Sequence, residues 1–371
     1  MAEQEDEQLL TELRLSLTPG VGPRTYRALI ERFGSAAAVH AASLSQLREV
    51  PGVGAKMLSS LVAARQETAA DEVLRVCRAT GITLLREADE RFPRLLREIH
   101  DPPSVLYLRG ELRPCDNLAM AIVGTRHATS YGLRQAERLS AGLARAGFTI
   151  ISGLARGIDA AAHRGALAAG GRTLAVLGCG VLEIYPPEHT GLADEIRQQG
   201  VVLSEAPPGS PPHSGMFPQR NRLITGMSLG VVVVEAAVQS GAMISARHAM
   251  DQGREVFAVP GSVESRSTRG CHQLLRDGAK LVESVDDVLE ELGPLVTASP
   301  APDGRWIRHP AELQLNPQEQ AVLGAIAFEA TSIDQIIFAS QLPVQRVLAT
   351  LSVLEMRRLV RRLSGNFVTR A

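Results

Sequence analysis

Apolar runs of six to eight residues recur through the middle of the chain and predict a parallel sheet. Six of them alternate with polar or alanine-rich stretches of helical periodicity, and they are LAMAIVG, FTIISG, TLAVLGCG, GVVLSE, LGVVVVEA and EVFAVPG. Strands that are apolar on both faces need helices on both sides of the sheet. We therefore predict an α/β fold with a Rossmann-like, doubly wound parallel sheet over residues 118–292.

Residues 1–80 are predicted to form an all-α domain that contains an imperfect repeat. The two copies, TPGVGPRTYRAL and VPGVGAKMLSSL, each join two helical patterns through Pro-Gly-Val-Gly. This pattern resembles the helix-hairpin-helix motif, in which the glycines permit a tight turn and the second helix directs its amides at a phosphate. A packing role without any ligand is the alternative. The glycines concerned are Gly20, Gly22, Gly52 and Gly54.

The remaining segments divide the chain further. Residues 81–117 are expected to be a connecting extension that ends in the strand SVLYLRG, and residues 293–312, rich in Pro, Gly and Ala, are expected to be a linker. Residues 313–371 predict three helices and a hairpin that turns at Gly365–Asn366, which is the arrangement of a winged helix. Such a module contacts DNA in some proteins and protein partners in others, and the sequence favours neither.

The first helix of this last module has a well-defined start. Asn316 is expected to cap it, Pro317 to occupy its first turn and Glu319 to close a capping box.

Composition limits the classes of partner only weakly. The formal net charge is −1, but 37 of the 39 basic residues are arginine, since Lys56 and Lys280 are the only lysines. Arginine's planar fork suits phosphate contacts, although the codon usage of a GC-rich genome explains the same excess. The four widely spaced cysteines indicate core thiols in a reducing compartment. With an acidic start and no long apolar stretch, we expect a cytoplasmic protein without a membrane span.

The glycine loops do not match a dinucleotide or nucleotide site. Gly124 is followed by Thr125 and Arg126, and the next glycine is at position 132, so the G-x-G-x-x-G spacing fails. The GCG of residues 178–180 lacks the third glycine, and no P-loop is present. We therefore predict no cofactor and no metal.

The stretch SGLARGIDAAAH places small residues between a strand and a helix. Gly153, Arg156 and Gly157 would let an anion approach the first amides of that helix. Asp159 and His163, one turn apart, suggest an acid–base pair. A structural role is the stronger interpretation, because an acidic residue at a helix start favours the dipole and a histidine satisfies a buried partner. No catalytic residue is predicted.

A second cluster, FPQRNR, combines an aromatic ring with charge and an amide. Phe217 offers stacking for a base, while Arg220, Asn221 and Arg222 offer contacts for a backbone. If Arg126, Arg156, Arg220 and Arg222 met at one sheet edge, they would repel one another without an anionic ligand.

These blocks together resemble the DNA-processing protein A family, also called DprA or Smf. The matching stretches span almost the whole chain and include VGTR, SGLARGIDAAAH, GCGVLEIYP, FPQRNRLITGMS and STRGCHQLLRDGAKLV. The resemblance implies a cytoplasmic, non-catalytic homodimer, joined through its Rossmann-like domain, that binds single-stranded DNA. It also implies protection of incoming DNA and loading of the RecA recombinase during natural transformation.

Carried over by position, the resemblance assigns a single-stranded DNA site. Arg126 is expected to contact a phosphate, and amides around the two glycines of the SGLARG stretch are expected to hold another. The full set is Gly124, Thr125, Arg126, Gly153, Arg156, Gly157, Phe217, Arg220, Asn221 and Arg222.

The chain departs from the family pattern at several charged positions. His189 stands in a segment without the usual lysine, and His213 or Ser214 stands where a basic residue is common. Glu183 replaces an aspartate. Arg266 or Arg269 is the expected compensation.

Two other functions remain as alternatives. A nucleotide-processing enzyme of the Rossmann-like phosphoribohydrolase type carries P-G-G-x-G-T-x-x-E, whereas VVVVEAAVQSGAM keeps Glu235 and lacks the double glycine. An interaction scaffold would use the two end domains for protein contacts.

Overall fold

The N-terminal region consists of short helices, as the repeat predicts. In the computed structural model, the described residues are 2–65, 68–292, 299–300, 306–307, 315–327, 329–356, 359–363 and 365–370. The helices of the N-terminal region are α1 (Ala2–Leu17), α2 (Pro23–Phe33), α3 (Ala36–Ala41), α4 (Leu44–Arg48), α5 (Ala55–Ala64) and α6 (Ala69–Thr80).

Both predicted hairpins are present. Gly20 (φ +93°) and Gly52 (φ +87°) adopt the left-handed backbone that the turns require, and L side chains rarely adopt it. Gly22 and Gly54 precede the first residues of α2 and α5 in extended conformation. The two helix pairs share one small apolar core.

A nine-stranded sheet forms the centre of the molecule, and its strand order is β1-β2-β6-β5-β4-β3-β7-β8-β9. Strands β3 to β9 are parallel to one another, whereas β2 pairs antiparallel with both β1 and β6. The strands are β1 (Thr83–Arg86), β2 (Val105–Gly110), β3 (Ala119–Val123), β4 (Thr149–Ser152), β5 (Thr173–Leu177), β6 (Val201–Ser204), β7 (Gly230–Val233), β8 (Glu255–Ala258) and β9 (Lys280–Leu281).

All six predicted core strands are confirmed, and the segment before them contributes more than expected. Residues 81–117, interpreted as a connecting extension, supply β1 and β2 and thereby two strands of the same sheet. The interpretation missed this because the pairing of β2 with β6 joins segments far apart in the sequence.

Helices cover both faces of the sheet. One face packs against α7, α11, α12 and α13, and the other against α8, α9 and α14. The helices of this region are α7 (Arg94–Arg97), α8 (Ser130–Arg145), α9 (Ile158–Ala168), α10 (Thr190–Gln199), α11 (Met216–Gly226), α12 (Gly241–Asp251), α13 (Arg269–Arg276) and α14 (Val285–Leu292).

The strand order reverses beside β3. After β3 the chain adds β4, β5 and β6 on one side, and then returns to place β7 and β8 on the other. Ligands of open parallel sheets bind outside the carboxyl ends of the strands at such a switch point. The loops after β3 and β7 are therefore the expected walls of a site.

The N-terminal domain packs directly on the first two strands. Leu13 and Leu74 share an apolar cluster with Val105 and Tyr107 of β2. At the edge of this contact, Arg27 donates to Glu87 at 3.3 Å. This packing sets the position of α2 relative to the sheet.

The C-terminal module has the predicted winged-helix order, with a small sheet in the order β12-β14-β13. Asn316 and Glu319 form the predicted capping box, and the β13–β14 hairpin includes Gly365 at φ +80°. Its elements are α15 (Pro317–Gly324), β12 (Thr331–Ser332), α16 (Ile333–Ser340), α17 (Val344–Met356), β13 (Val360–Arg362) and β14 (Phe367–Arg370).

The predicted linker, residues 293–312, lies outside the described residues except for a short strand pair, β10 (Ser299–Pro300) and β11 (Trp306–Ile307). All four cysteines are buried and unpaired, as expected for core thiols. No single described helix is long and apolar enough to cross a membrane, and only the bent pair Ile333–Ser340 with Val344–Glu355 meets those criteria jointly.

Candidate nucleic-acid interface

A cavity of about 860 Å³ opens at the switch point, on the carboxyl edge of the sheet. The loop after β3, the start of α9, the first half of α11 and the start of α12 form its walls. We call it the primary cavity. Its lining includes Gly124, Thr125, Arg126, Phe217, Arg220 and Asn221 from the predicted set.

Arg126 and Phe217 face each other in this cavity, where Arg126 is exposed and Phe217 is partly buried. The Arg126 guanidinium carbon lies 5.3 Å from the centre of the Phe217 ring, within the range of a cation–π contact. The ring of Tyr185 is 5.6 Å from that of Phe217. Arg126 is exposed, and no carboxylate of the described residues lies within ion-pair distance of it. An external anion can therefore use its donors.

The loop that carries Arg126 is held by backbone contacts. The Thr125 amide donates to the Glu235 carbonyl at 2.7 Å, and the Thr125 carbonyl accepts from the Ile158 amide at 3.2 Å. A Cβ on Gly124 would lie 2.5 Å from the Ile158 side chain, so only glycine fits there. Gly124 and Thr125 thus fix the direction from which Arg126 enters the cavity.

The glycines of the SGLARG stretch permit close packing, and Gly153 does not offer its amide to solvent. That amide donates to the Asp159 carboxylate at 3.1 Å, with the Ala155 amide further away at 3.4 Å. In this structure the anion at this helix start is the chain's own aspartate, and the predicted contact of Gly153 with a phosphate stays a prediction. Burial raises the pKa of Asp159, and the nearby Arg220 guanidinium opposes that rise.

Gly157 brings the two loops together. Its φ is +75°, and a Cβ there would lie 2.3 Å from the Thr125 carbonyl oxygen. Gly157 therefore supports the backbone of the loop that carries Arg126.

Arg220 is buried and bonded to other groups of the protein, and its predicted contact with single-stranded DNA stays a prediction. It is 6% exposed, and its Nη1 donates to the Gly153 carbonyl at 2.9 Å and to the Val176 carbonyl. Burial lowers its pKa to about 10, against the opposing effect of Asp159. Arg220 ties the end of β4 to the end of β5 and forms part of the cavity wall.

Asn221 and Arg222 are also engaged. Asn221 Nδ2 donates to the Gly241 carbonyl at 3.1 Å, which ties α11 to the start of α12. Arg222 donates to the Asp101 carbonyl at 2.7 Å and to the Glu205 carboxylate at 2.5 Å. Arg222 does not line the primary cavity, and its predicted contact with single-stranded DNA stays a prediction.

Arg156 lies outside the lining of the primary cavity and pairs with Glu188 at 2.5 Å, both side chains about half exposed. The four arginines therefore do not all meet in the primary cavity, and the condition for their expected repulsion is not fulfilled. Arg156, Arg220 and Arg222 donate hydrogen bonds to carboxylates or carbonyls of the protein. For Arg126 the described residues provide no carboxylate partner.

The residues of the suggested acid–base pair, Asp159 and His163, are buried, and so is Ser152 at the end of β4. Ser152 Oγ donates to the Ile122 carbonyl at 2.6 Å, and His163 Nδ1 lies 2.6 Å from Thr173 Oγ1. Burial lowers the pKa of His163 to about 3. The structural interpretation of Asp159 and His163 is confirmed.

Glu235 has a structural role as well. Its carboxylate accepts from the amide of Thr129 at 2.9 Å and from the hydroxyl at 2.6 Å. Thr129 in turn caps α8. This buried carboxylate is occupied where a phosphoribohydrolase would need it free.

Among the lining residues of the primary cavity that lie outside the predicted set, three have aromatic or basic side chains, namely His127, Tyr185 and Arg247. Tyr185 and Arg247 lie within blocks that carry the family resemblance, which was the available signal. Arg247 is exposed on α12. The arginines expected to compensate for the missing basic residues, Arg266 and Arg269, are exposed but do not line this cavity.

The other departures from the family pattern lie mostly outside the cavity. His189 is buried, with Nδ1 2.8 Å from the Leu154 carbonyl. Glu183 and His213 are exposed away from the lining, whereas Ser214 belongs to it. The site therefore presents two exposed arginines, an aromatic pair and neutral polar groups. In the described part of the chain no group of His, Cys, Asp and Glu has the arrangement of a metal site.

The class of protein is defined by an open cavity with exposed arginines at the switch point of a Rossmann-like sheet, in a chain that has a helical domain before the sheet and a winged helix after it. Residues 83–293 match the family model described as DNA recombination-mediator protein A. Residues 11–67 match a SAM-like helix-hairpin-helix tandem, and residues 308–366 match the DprA winged helix domain. The chain belongs to the DNA recombination-mediator protein A (DprA/Smf) family.

Individual relatives agree with this assignment. Protein Smf of Synechocystis is 36% identical over 94% of this chain and 95% of its own length. The crystal structure of DprA from Streptococcus pneumoniae is 33% identical and covers 76% of this chain and 95% of its own, with a TM-score of 0.65.

A DprA structure from Helicobacter pylori concerns the mode in which that protein binds single-stranded DNA. It is 31% identical and covers 58% of this chain and 97% of its own, with a TM-score of 0.52.

Proposed function

We propose that this protein binds single-stranded DNA in the primary cavity, protects it and loads a RecA-type recombinase onto it during natural transformation. Its membership of the recombination-mediator family supports this role. We further propose that it acts in the cytoplasm as a homodimer through its Rossmann-like domain and catalyses no reaction. The observation that carries the proposal is the exposed Arg126 guanidinium, which lies over the Phe217 ring and has no carboxylate partner among the described residues.

The cavity suits a single strand because stacking and charge lie side by side. An unpaired base can stack on the ring of Phe217 or Tyr185, whereas the faces of a paired base are covered by its neighbours. Arg126 and Arg247 then lie on the walls where the backbone phosphates would pass. Stacking is tolerant of sequence, so we expect little base preference.

The other predicted residues take supporting roles in this proposal. Gly124, Thr125 and Gly157 hold the Arg126 loop, while Arg220 and Asn221 shape the wall. Arg156 reaches the backbone only after it leaves Glu188. The engaged carboxylate of Glu235 argues against the phosphoribohydrolase alternative.

Binding of fluorescent oligothymidylate, followed by anisotropy, tests the site. Arg126→Ala should weaken binding about 10- to 100-fold, the effect of a charge-assisted hydrogen bond worth about 1.5–3 kcal/mol. The matched control is Arg269→Ala, which removes an exposed arginine outside the cavity. Equal affinities of the two folded variants would contradict the proposed site.

Recombinase loading needs a separate assay. Wild-type protein should accelerate the assembly of a RecA-type recombinase on single strands, and Arg126→Ala should not do so at the same concentration. Acceleration by the variant equal to that of the wild type would separate loading from the primary cavity.

A further inference from the structure

A second cleft continues the primary cavity along the carboxyl edge of the sheet. Its volume is about 700 Å³. Pro218, Arg220 and Ile244 line both spaces, so only the start of α11 and one residue of α12 separate them. The cleft reaches from there past the ends of β5 and β6 to the first turn of α2.

The first hairpin of the N-terminal repeat forms the far wall of this cleft. Gly22, Pro23, Arg24 and Thr25 belong to its lining, opposite Gln219 and His248. The packing of α1 and α6 on β2 holds the domain in this position. An edge of the sheet and a helical domain that is separate in sequence therefore enclose a cleft that borders the primary cavity, and we call the two spaces together the channel.

The charge of the cleft is set by Arg24. The two carboxylates of the lining, Asp101 and Glu205, both face Arg222, at 3.6 Å and 2.5 Å. Arg24 is exposed, and no described carboxylate pairs with it. The free charge at the far end of the channel is thus positive.

The two copies of the repeat differ in this respect. Lys56 occupies in the second copy the position of Arg24 in the first, two residues after the last glycine of the hairpin. Gly52, Gly54 and Lys56 are exposed and line neither the primary cavity nor the cleft. Equivalent sequence positions therefore have different surroundings.

We propose that the cleft is a second subsite for single-stranded DNA and that Arg24 of the first hairpin contacts a backbone phosphate there. This inference rests on the proposed function. A strand that fills the primary cavity leaves over Pro218 and passes Arg24, and the second hairpin takes no part. The first copy of the repeat is then specialised for the strand.

The proposal predicts that the effect of Arg24 depends on oligonucleotide length. Oligothymidylates of about 4 to about 16 nucleotides cover the range of site sizes of small single-strand-binding folds. In the full-length chain, Arg24→Ala should leave the shortest oligonucleotide unaffected and weaken the longest several-fold. Its salt slope, d log K/d log[salt], should fall in magnitude by about 0.7 for the one lost phosphate contact.

Lys56→Ala is the matched control, because it removes the equivalent charge from the other copy. It should bind every length as the wild type does, and Arg24→Glu should weaken long oligonucleotides more than Arg24→Ala. Circular dichroism checks that each variant is folded.

The outcomes separate this inference from the function on which it rests. Equal effects of Arg24→Ala and Lys56→Ala at every length would overturn the second subsite, as would an effect of Arg24→Ala on the shortest oligonucleotide alone. The proposed function would stand in either case if Arg126→Ala still weakened binding about 10- to 100-fold, the extent expected for one charge-assisted contact. Absence of binding by the wild type would overturn the proposed function and the subsite together.

Discussion

At the scale of single residues, the arginines of the candidate site differ in which oxygen atoms they meet. Arg126 and Arg220 line the same cavity, yet Arg220 is buried on two carbonyls and Arg126 is exposed on an aromatic ring. Burial of a guanidinium requires such acceptors, because an uncompensated buried charge is costly. We therefore expect Arg220 to contribute to stability and, under the proposed function, Arg126 to contribute to binding.

We expect Arg220→Met to lower the free energy of unfolding by about 1–3 kcal/mol, since it leaves the Gly153 and Val176 carbonyls without their donor. Arg126→Ala should change that energy by less than about 0.5 kcal/mol, as for most exposed residues. Urea denaturation measures both. A larger loss for Arg126→Ala than for Arg220→Met would reverse the assignment.

His163 makes stability depend on pH. Its pKa is lowered from 6.5 to about 3 in the folded protein. Between these two pH values the unfolded chain therefore binds a proton at His163 and the folded protein does not. The resulting stability is complete above about pH 6.5 and is lost as the pH falls towards 3.

His163→Gln should remove this contribution. The difference in unfolding free energy between wild type and variant should then change by up to about 1.4 kcal/mol per pH unit between pH 6 and pH 4. Denaturation series at several pH values test it, and a constant difference across that range would refute the assignment.

At the scale of elements, the loops after β3 and β4 pack closely because the residue at their contact, Gly157, has no side chain. Gly157 combines a left-handed backbone with contact to the Thr125 carbonyl, whereas Gly170 has φ +70° and nothing within 4 Å of a Cβ. Both positions have a positive φ that would strain any L residue placed there, and they differ in the space available for a Cβ.

Gly170→Ala should cost about 1 kcal/mol from the left-handed backbone alone. Gly157→Ala should cost about 1–3 kcal/mol more, because the loops must separate. It should also weaken oligonucleotide binding by displacing Arg126. Thermal denaturation and anisotropy check the two effects, and equal costs at both positions would show that the loops move apart freely.

At the scale of the whole molecule, the formal net charge of −1 offers no general attraction to DNA. Affinity must come from the few arginines that the fold leaves exposed beside the aromatic pair. The strand order supplies the place, since loops after β3 and β7 meet only where the order reverses.

Salt dependence measures the number of such contacts. Arg126→Ala and Arg247→Ala should each lower the magnitude of the salt slope by about 0.7, and the double variant by about 1.4. Arg269→Ala should leave it unchanged. Titrations between about 50 and about 200 mM salt suffice, and an unaltered slope in the double variant would place the phosphates elsewhere.

The sequence by itself determined the local structure of this protein. Apolar runs gave six core strands, glycines marked both hairpins, and Asn316 with Glu319 marked a helix start. Each of these features depends on residues that are close to one another in the sequence, so the sequence alone is enough to predict it.

Only the tertiary structure decided which predicted site residues are available. Arg222 meets Glu205 and Arg220 meets Val176 through contacts between distant segments, and the Gly153 amide meets Asp159 only once the loop has folded back. Arg24 and Lys56 have equivalent sequences around them and unlike surroundings. A guanidinium can bind a ligand only through N–H donors that oxygen atoms of the protein do not already use. No local sequence pattern shows which donors these are.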